Sequence, residues 1–382
     1  MNDQRSMIDE QLRTLKLCVL CGELNQIIDA PSIYLFTPLE RSPVFRCLFR
    51  RRLFPTDGDR VPLRPGIHAG ATLVSSRTLV NGIGTGADRI NSIGIYLAAP
   101  DGSLYPGSSA AGATFTQGSG NSWSSTPPTY VSLLTARLHA WSPATVTLTG
   151  GSGTTLPTLP VSLPEGQTFD GANDYGCSVH DYLYGSATST QGSAEPITAN
   201  SQSATPAIYL QHALAQLVFR IRNADSRPSD SQYDYVKSIR LTAEGGATPF
   251  LAGTSGAMAL SDGALSGLSA SGELTFTPSA NPQQVGTTGA VTVAYGLVSP
   301  KTAAASSVQV TLTLRLGEAG LGNTATEREL TLTTDAFNQA WDRGNQYIYT
   351  LTLDKRGLTL KDAAILPWNV EPSVNQDMNP IG

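Results

Sequence analysis

Charge is what this sequence has least of. Asp, Glu, Lys and Arg make up 14% of its 382 residues, against roughly 25% in an ordinary soluble chain. The formal net charge is −5, which excludes the basic face that phosphate binding needs, so nucleic acid is not an expected partner. No window approaches 20 uninterrupted apolar residues, which excludes a transmembrane helix. Cysteine is scarce: Cys18, Cys21, Cys47 and Cys177 are the whole set, with three of them in the first 47 residues. That excludes a disulfide scaffold. Cys18-Val-Leu-Cys21 has zinc or redox spacing, but zinc wants a second pair of ligands and none follows Cys47. The thiols read as incidental.

Catalytic patterns are missing too. There is no Gly-x-Ser-x-Gly elbow, phosphate-binding P-loop or His-Glu-x-x-His, and Gly82-Ile83-Gly84-Thr85-Gly86 reads as a turn. The four histidines, His68, His139, His180 and His212, are scattered and read as core or edge residues. The densest polar run, residues 173–181, holds Asp174, Cys177 and His180 but no third partner at a recognisable spacing. No two carboxylates stand out as a glycosidase pair. The expectation is therefore a protein without catalysis, cofactor or metal, and a secreted hydrolase is the least favoured class.

What is present is glycine (37), proline (24) and a 40% apolar share, enough for packed cores. A surface built from Ser, Thr, Gly and Asn is typical of extracellular β-proteins. Residues 1–66 differ from the rest. They carry ten Lys/Arg and eight Asp/Glu, whereas the remainder carries 15 and 22. Ile8, Leu12, Leu15 and Val19 recur at helical spacing. A segment with six prolines and Arg50-Arg51-Arg52 follows. Arg13 and Lys16 interrupt the apolar run that a secretory signal requires. Two readings stay open for 1–66: a pro-segment removed at a basic site such as Arg50–Arg52 or Arg64, or a mis-assigned start.

From residue 67 the chain reads as β. Val308, Val310, Leu312, Leu314 and Leu316 alternate with polar residues. So do Tyr347, Tyr349, Leu351 and Leu353, then Val291, Val293, Tyr295 and Leu297, and Ile93, Ile95 and Leu97. Shorter pairs are Ile239/Leu241, Leu274/Phe276, Leu330/Leu332 and Leu358/Leu360. Alternation predicts strands with one buried and one wet face, the pattern of a sandwich. Turn residues separate them at 99–102, 150–151, 245–246 and 262–263. In residues 208–223 the buried parity switches midway, which predicts one strand with a bulge near Ala215–Gln216. The Ser/Thr/Ala-rich stretch 185–206 is the expected linker. The predicted organisation is a leader (1–66), an N-terminal β-sandwich (67–200) and a C-terminal β-sandwich (204–382).

Several segments, in order, resemble the fimbrillin-like family of surface proteins of Bacteroides-type bacteria, whose members build type V pili. They are Ser76–Asn81 with Ala87–Ile90 and Ile93–Tyr96, then Arg137–Pro143, then Asp181–Gly185. Leu210–Ala215 with Leu217, Phe219 and Ile221 follows, and Gly344–Leu351 with Ile365-Leu366-Pro367-Trp368 closes the series. The resemblance implies two transthyretin-like Greek-key sandwiches, lipoprotein export to the outer membrane, and a role in a pilus. It also implies assembly by β-strand addition. A protease removes an N-terminal strand after an Arg, for which Arg64 and Arg77 are the candidates, and the groove accepts a strand from the next subunit. Partners would then be other pilus subunits, a host or bacterial surface receptor, and the outer membrane through a lipid anchor. Residues 369–382 contain Pro372 and Pro380 and make a poor donor strand, which points to a tip or accessory subunit. The alternative is a surface carbohydrate-binding module that uses Trp123, Tyr130 and Trp141 as platforms.

Overall fold

The computed structural model describes residues 59–69, 83–84, 89–170, 177–224, 232–302, 307–322 and 327–367. The chain divides into two units, Met1–Asp59 and Arg60–Gly382. Apart from Asp59, the described residues all lie in the second. The helix expected over residues 8–19, three of the cysteines, Asp174, Arg77 and the tail 369–382 lie outside the described residues.

The described residues contain no α-helix and are rich in strands. The alternating runs become strands with the expected buried parity. Val310, Leu312, Leu314 and Leu316 have no exposed surface, while Arg315 on the other face is exposed and forms an ion pair with Glu327. Tyr347, Tyr349, Leu351 and Leu353 are likewise buried.

Two sheets form the larger sandwich. One has the order Val291–Val298, Ala215–Asn223, Asn345–Leu353, Leu358–Pro367. The other runs Glu327–Thr333, Val310–Gly317, Tyr235–Ala243, Glu273–Pro278, Gly166–Phe169. Their inner faces meet through aromatic rings, with Phe219 lying 5.8 Å from Phe276. Gln167 joins them by a polar clamp, its Oε1 accepting from the Leu297 amide at 3.0 Å. Ala215–Asn223 and Asn345–Leu353 run parallel, as do Gly166–Phe169 and Glu273–Pro278. Parallel neighbours need long crossovers, and the residues between the members of each pair supply them.

A smaller core lies to one side of a further sheet, whose main path is Gly66–Ala69, Ala207–His212, Leu183–Ser186, Ala136–Ser142, Ser92–Ala98, Ala113–Gln117, Trp123–Ser125. Ile93, Ile95, Leu97, Leu138, Leu183, Ile208 and Leu210 fill this smaller core. The opposite face of the same sheet is not wet, contrary to the alternation rule. Tyr96, Ala98, Trp141 and Tyr184 belong to the larger core. The reason is chemical: the alternate positions in Ser-Ile-Gly-Ile-Tyr-Leu-Ala carry Gly, Tyr and Ala rather than charge, so burying them costs little.

The single bulged strand expected over 208–223 is instead two strands, Ala207–His212 and Ala215–Asn223, in different sheets. The parity switch marks the crossing at Ala213–Leu214 from the smaller core to the larger. A bulge does occur, but between Phe219 and Arg220. At the crossing, His212 Nδ1 lies 3.0 Å from Asp181 Oδ1, with both side chains buried. The Ala213 amide donates to the Tyr182 carbonyl at 2.9 Å.

Candidate functional site: strand edges

The N-terminal edge begins in residues that read as leader. Leu63, Pro65 and Ile67 are buried and alternate with exposed or half-buried Arg64, Gly66 and His68. Period 2 was present in Val61-Pro62-Leu63-Arg64-Pro65-Gly66-Ile67, but two prolines and the arginine-rich neighbourhood disguised it. Val61–Pro62 pairs with Tyr130–Val131, and the Leu63 amide donates to the Thr129 carbonyl at 2.8 Å. The Arg64 amide donates to the Ala204 carbonyl and that of Gly66 to the Pro206 carbonyl, both at 2.9 Å. Gly66–Ala69 then lies parallel to Ala207–Leu210, with Ile67 opposite Ile208. On the outer face His68 stacks on Tyr209, ring centroids 4.7 Å apart.

Among the described residues this strand is the last in its sheet, attached on one side only. Ile67 and Leu63 enter the smaller core with 1% and 2% exposure. Taking the segment away would bare the hydrogen-bonding edge of Ala207–His212 and two apolar seats. An unpaired, apolar strand edge is a template for another strand. The Arg64 side chain is exposed beside this segment.

A second edge closes the larger sandwich. Among the described residues Leu358–Pro367 pairs only with Asn345–Leu353. Its first residue, Leu358, is buried. Toward its end the cover is lost: Ile365, opposite buried Tyr347, is half exposed, as is Leu366.

Other candidates from the sequence are placed differently. Trp123 and Trp141 are 1% and 3% exposed, so neither is a sugar platform. Large flat side chains are the cheapest way to fill a core, and the Trp141 ring rests directly over Gly94 and Gly112. Tyr130 is exposed, near the exposed Leu133 and Leu134 in sequence. Cys177 is half-buried, and burial pushes its thiol up to about 11, far from the thiolate range that reactivity needs. His180 is exposed and meets Tyr182 edge-on. His139 is held below its usual value by burial, with Arg137 adding to the effect and a backbone hydrogen bond at Leu260 opposing it. Among the described residues no three His, Cys, Asp or Glu side chains gather in a metal-binding group.

A family model described as fimbrillin-like matches residues 79–368. No curated protein sequence matches. Among solved structures, a candidate cell adhesion protein from Bacteroides uniformis is 14% identical. It has a TM-score of 0.51 over 80% of this chain and 99% of its own. A fimbrial protein from Bacteroides vulgatus (13% identity, TM-score 0.44) is covered over 99% of its length, by 80% of this chain. For a candidate polysaccharide binding protein from Bacteroides thetaiotaomicron the figures are 11%, 0.39, 98% and 81%. The first of these shares the all-β sandwich architecture.

Proposed function

The chain belongs to the fimbrillin-like family, and from that premise we propose that it is a non-catalytic subunit of a cell-surface fimbria that joins its neighbours by β-strand addition. The observation that carries this reading is the edge strand Gly66–Ala69. Among the described residues it pairs on one side only, and its Ile67 plugs a core together with the preceding Leu63. Main-chain hydrogen bonds along Ala207–His212 would supply affinity to an incoming strand, and the seats vacated by alternate side chains would supply specificity. Cleavage after Arg64 would remove Leu63 and Val61–Pro62 and leave Gly66–Ala69 in place. Cleavage after Arg77 would remove the whole edge segment.

The tail 369–382, with Pro372 and Pro380, is a weak strand donor, which supports a tip or accessory place. Attachment to the outer membrane would run through a lipid anchor.

The experiment compares the full chain with a chain starting at residue 78, and with full chains carrying Arg64→Ala or Arg77→Ala, treated with an Arg-specific protease. Size-exclusion chromatography is the readout. The shortened chain should form oligomers or capture a synthetic strand peptide, and the critical arginine variant should resist conversion. A shortened chain that stays folded, monomeric and indifferent to added strands would overturn the reading.

A further inference from the structure

A cleft of about 700 Å³ opens between the loop at 191–192, the hairpin at 263–265 and the segments 299–302 and 341–345. One wall is rigid. Arg343 donates to the carbonyls of Gly192, at 3.0 Å, and Asp262, and its guanidinium lies over the Tyr184 ring. That cation is committed to structure. The other cation is held more lightly.

Lys301 is 3% exposed and is held by a backbone bridge to Trp341. Its ammonium donates to the Phe337 carbonyl at 2.7 Å and stands 4.4 Å from the centre of the Trp341 ring. Trp341 is itself fixed, stacked on Phe250 and donating to the Tyr349 hydroxyl. No carboxylate forms an ion pair with Lys301 among the described residues, so two of its three donors have no acceptor there. A buried ammonium with one carbonyl partner is an unusual expense for a protein core. Burial alone draws its pKa down to about 8. The rim adds two further chemistries: Leu251, 40% exposed, is an apolar surface, and Asp342 is an exposed acceptor.

We propose that this cleft binds a saccharide bearing a carboxylate, with Lys301 as the partner of the acid, Leu251 as the surface for the sugar's C–H face and Asp342 as acceptor for its hydroxyls. A single cation without an ion-pair partner among the described residues suits one acidic group. An acidic peptide would bring several charges, and Asp342 would repel them. The inference stands on the cleft alone and holds whether or not the chain polymerises by strand addition.

The test is calorimetric titration of the full chain with glucuronic acid, glucose, acetate and an acidic peptide, beside lysine ¹³Cε spectra. Lys301→Met identifies the Lys301 signal. Removing a buried charge for an apolar chain of similar shape is compatible with folding, so this variant also serves as the binding control. Glucuronate should bind and shift the Lys301 signal. Glucose, and glucuronate on Lys301→Met, should bind roughly tenfold to a hundredfold more weakly. Asp342→Asn should weaken glucuronate by several-fold while leaving the response of Lys301 intact. The proposal is overturned if glucuronate fails to bind by about 10 mM, or if Lys301→Met binds it unchanged. It is equally overturned if acetate or the acidic peptide binds as tightly as the sugar acid.

Discussion

Gly94 lies where an added Cβ would stand 2.1 Å from carbons of the Trp141 ring. The absence of a side chain there is what lets the indole lie flat on the sheet. Gly94→Ala should cost about 1–3 kcal/mol, the usual range for overpacking, read as a lower urea midpoint with an unchanged slope. Lys301 gives a pH prediction. Below about pH 8 the amine is protonated in both the folded and the unfolded chain. Between about 8 and the ordinary lysine value of 10.5, the unfolded chain keeps a proton that the folded one has released. Stability therefore rises with pH across that window, by something on the order of 2 kcal/mol after allowance for screening. Thermal melts from pH 7 to 10.5 should show the rise in the native chain and its loss in Lys301→Met. Neither residue could be singled out beforehand. Gly94 reads as a gap in an alternating strand, and Lys301 as an ordinary surface lysine after Ser-Pro, because the ring and the carbonyl that define their roles arrive from 47 and 36 positions away.

At the scale of the element, the strands of the larger sandwich were legible because alternation survives burial of one face: Val310–Leu316 and Tyr347–Leu353 alternate in the sequence and are buried in the same parity. The edge segment 61–69 was not legible as a strand. Its apolar residues are Val, Leu, Pro and Ile at every second place, but proline removes ladder donors and lowers any strand expectation. The structure accommodates Pro65 because its nitrogen lies on the side away from the Arg64 and Gly66 amides, which are the ones that bond Ala204 and Pro206. Ile67→Ala should cost about 2–4 kcal/mol. Amide exchange should accelerate along 66–69 and 207–210 while strands of the larger sandwich keep their protection. Uniform acceleration throughout would mean that the segment is part of one cooperative unit rather than a separable edge.

Across the molecule, chain order and hydrogen-bond order part company. Thr158–Leu163 pairs with Phe250–Ala259, and Gly166–Phe169 with Glu273–Pro278. Both strands precede the Ser/Thr-rich stretch, and a cut between 200 and 204 severs them from their sheets. Residues 204–382 expressed alone would lack Leu159, Val161, Leu163 and Phe169, all essentially buried in the larger core. That fragment should melt at lower temperature and with less cooperativity than the full chain. A fragment melting as sharply as the full chain would instead support the division at 200–204. By itself the sequence determined the all-β class and the buried parity of most long strands, since these follow from local alternation and turn residues that need no partner to be read; the family was legible separately, from the ordered segments that resemble it. Only the tertiary structure decided that one sheet is covered on both faces, that the run 207–223 changes cores at Ala213–Leu214, and that Lys301 is buried beside a cleft. Each of these depends on which distant surface packs against a segment, and a pattern of period 2 carries no information about that.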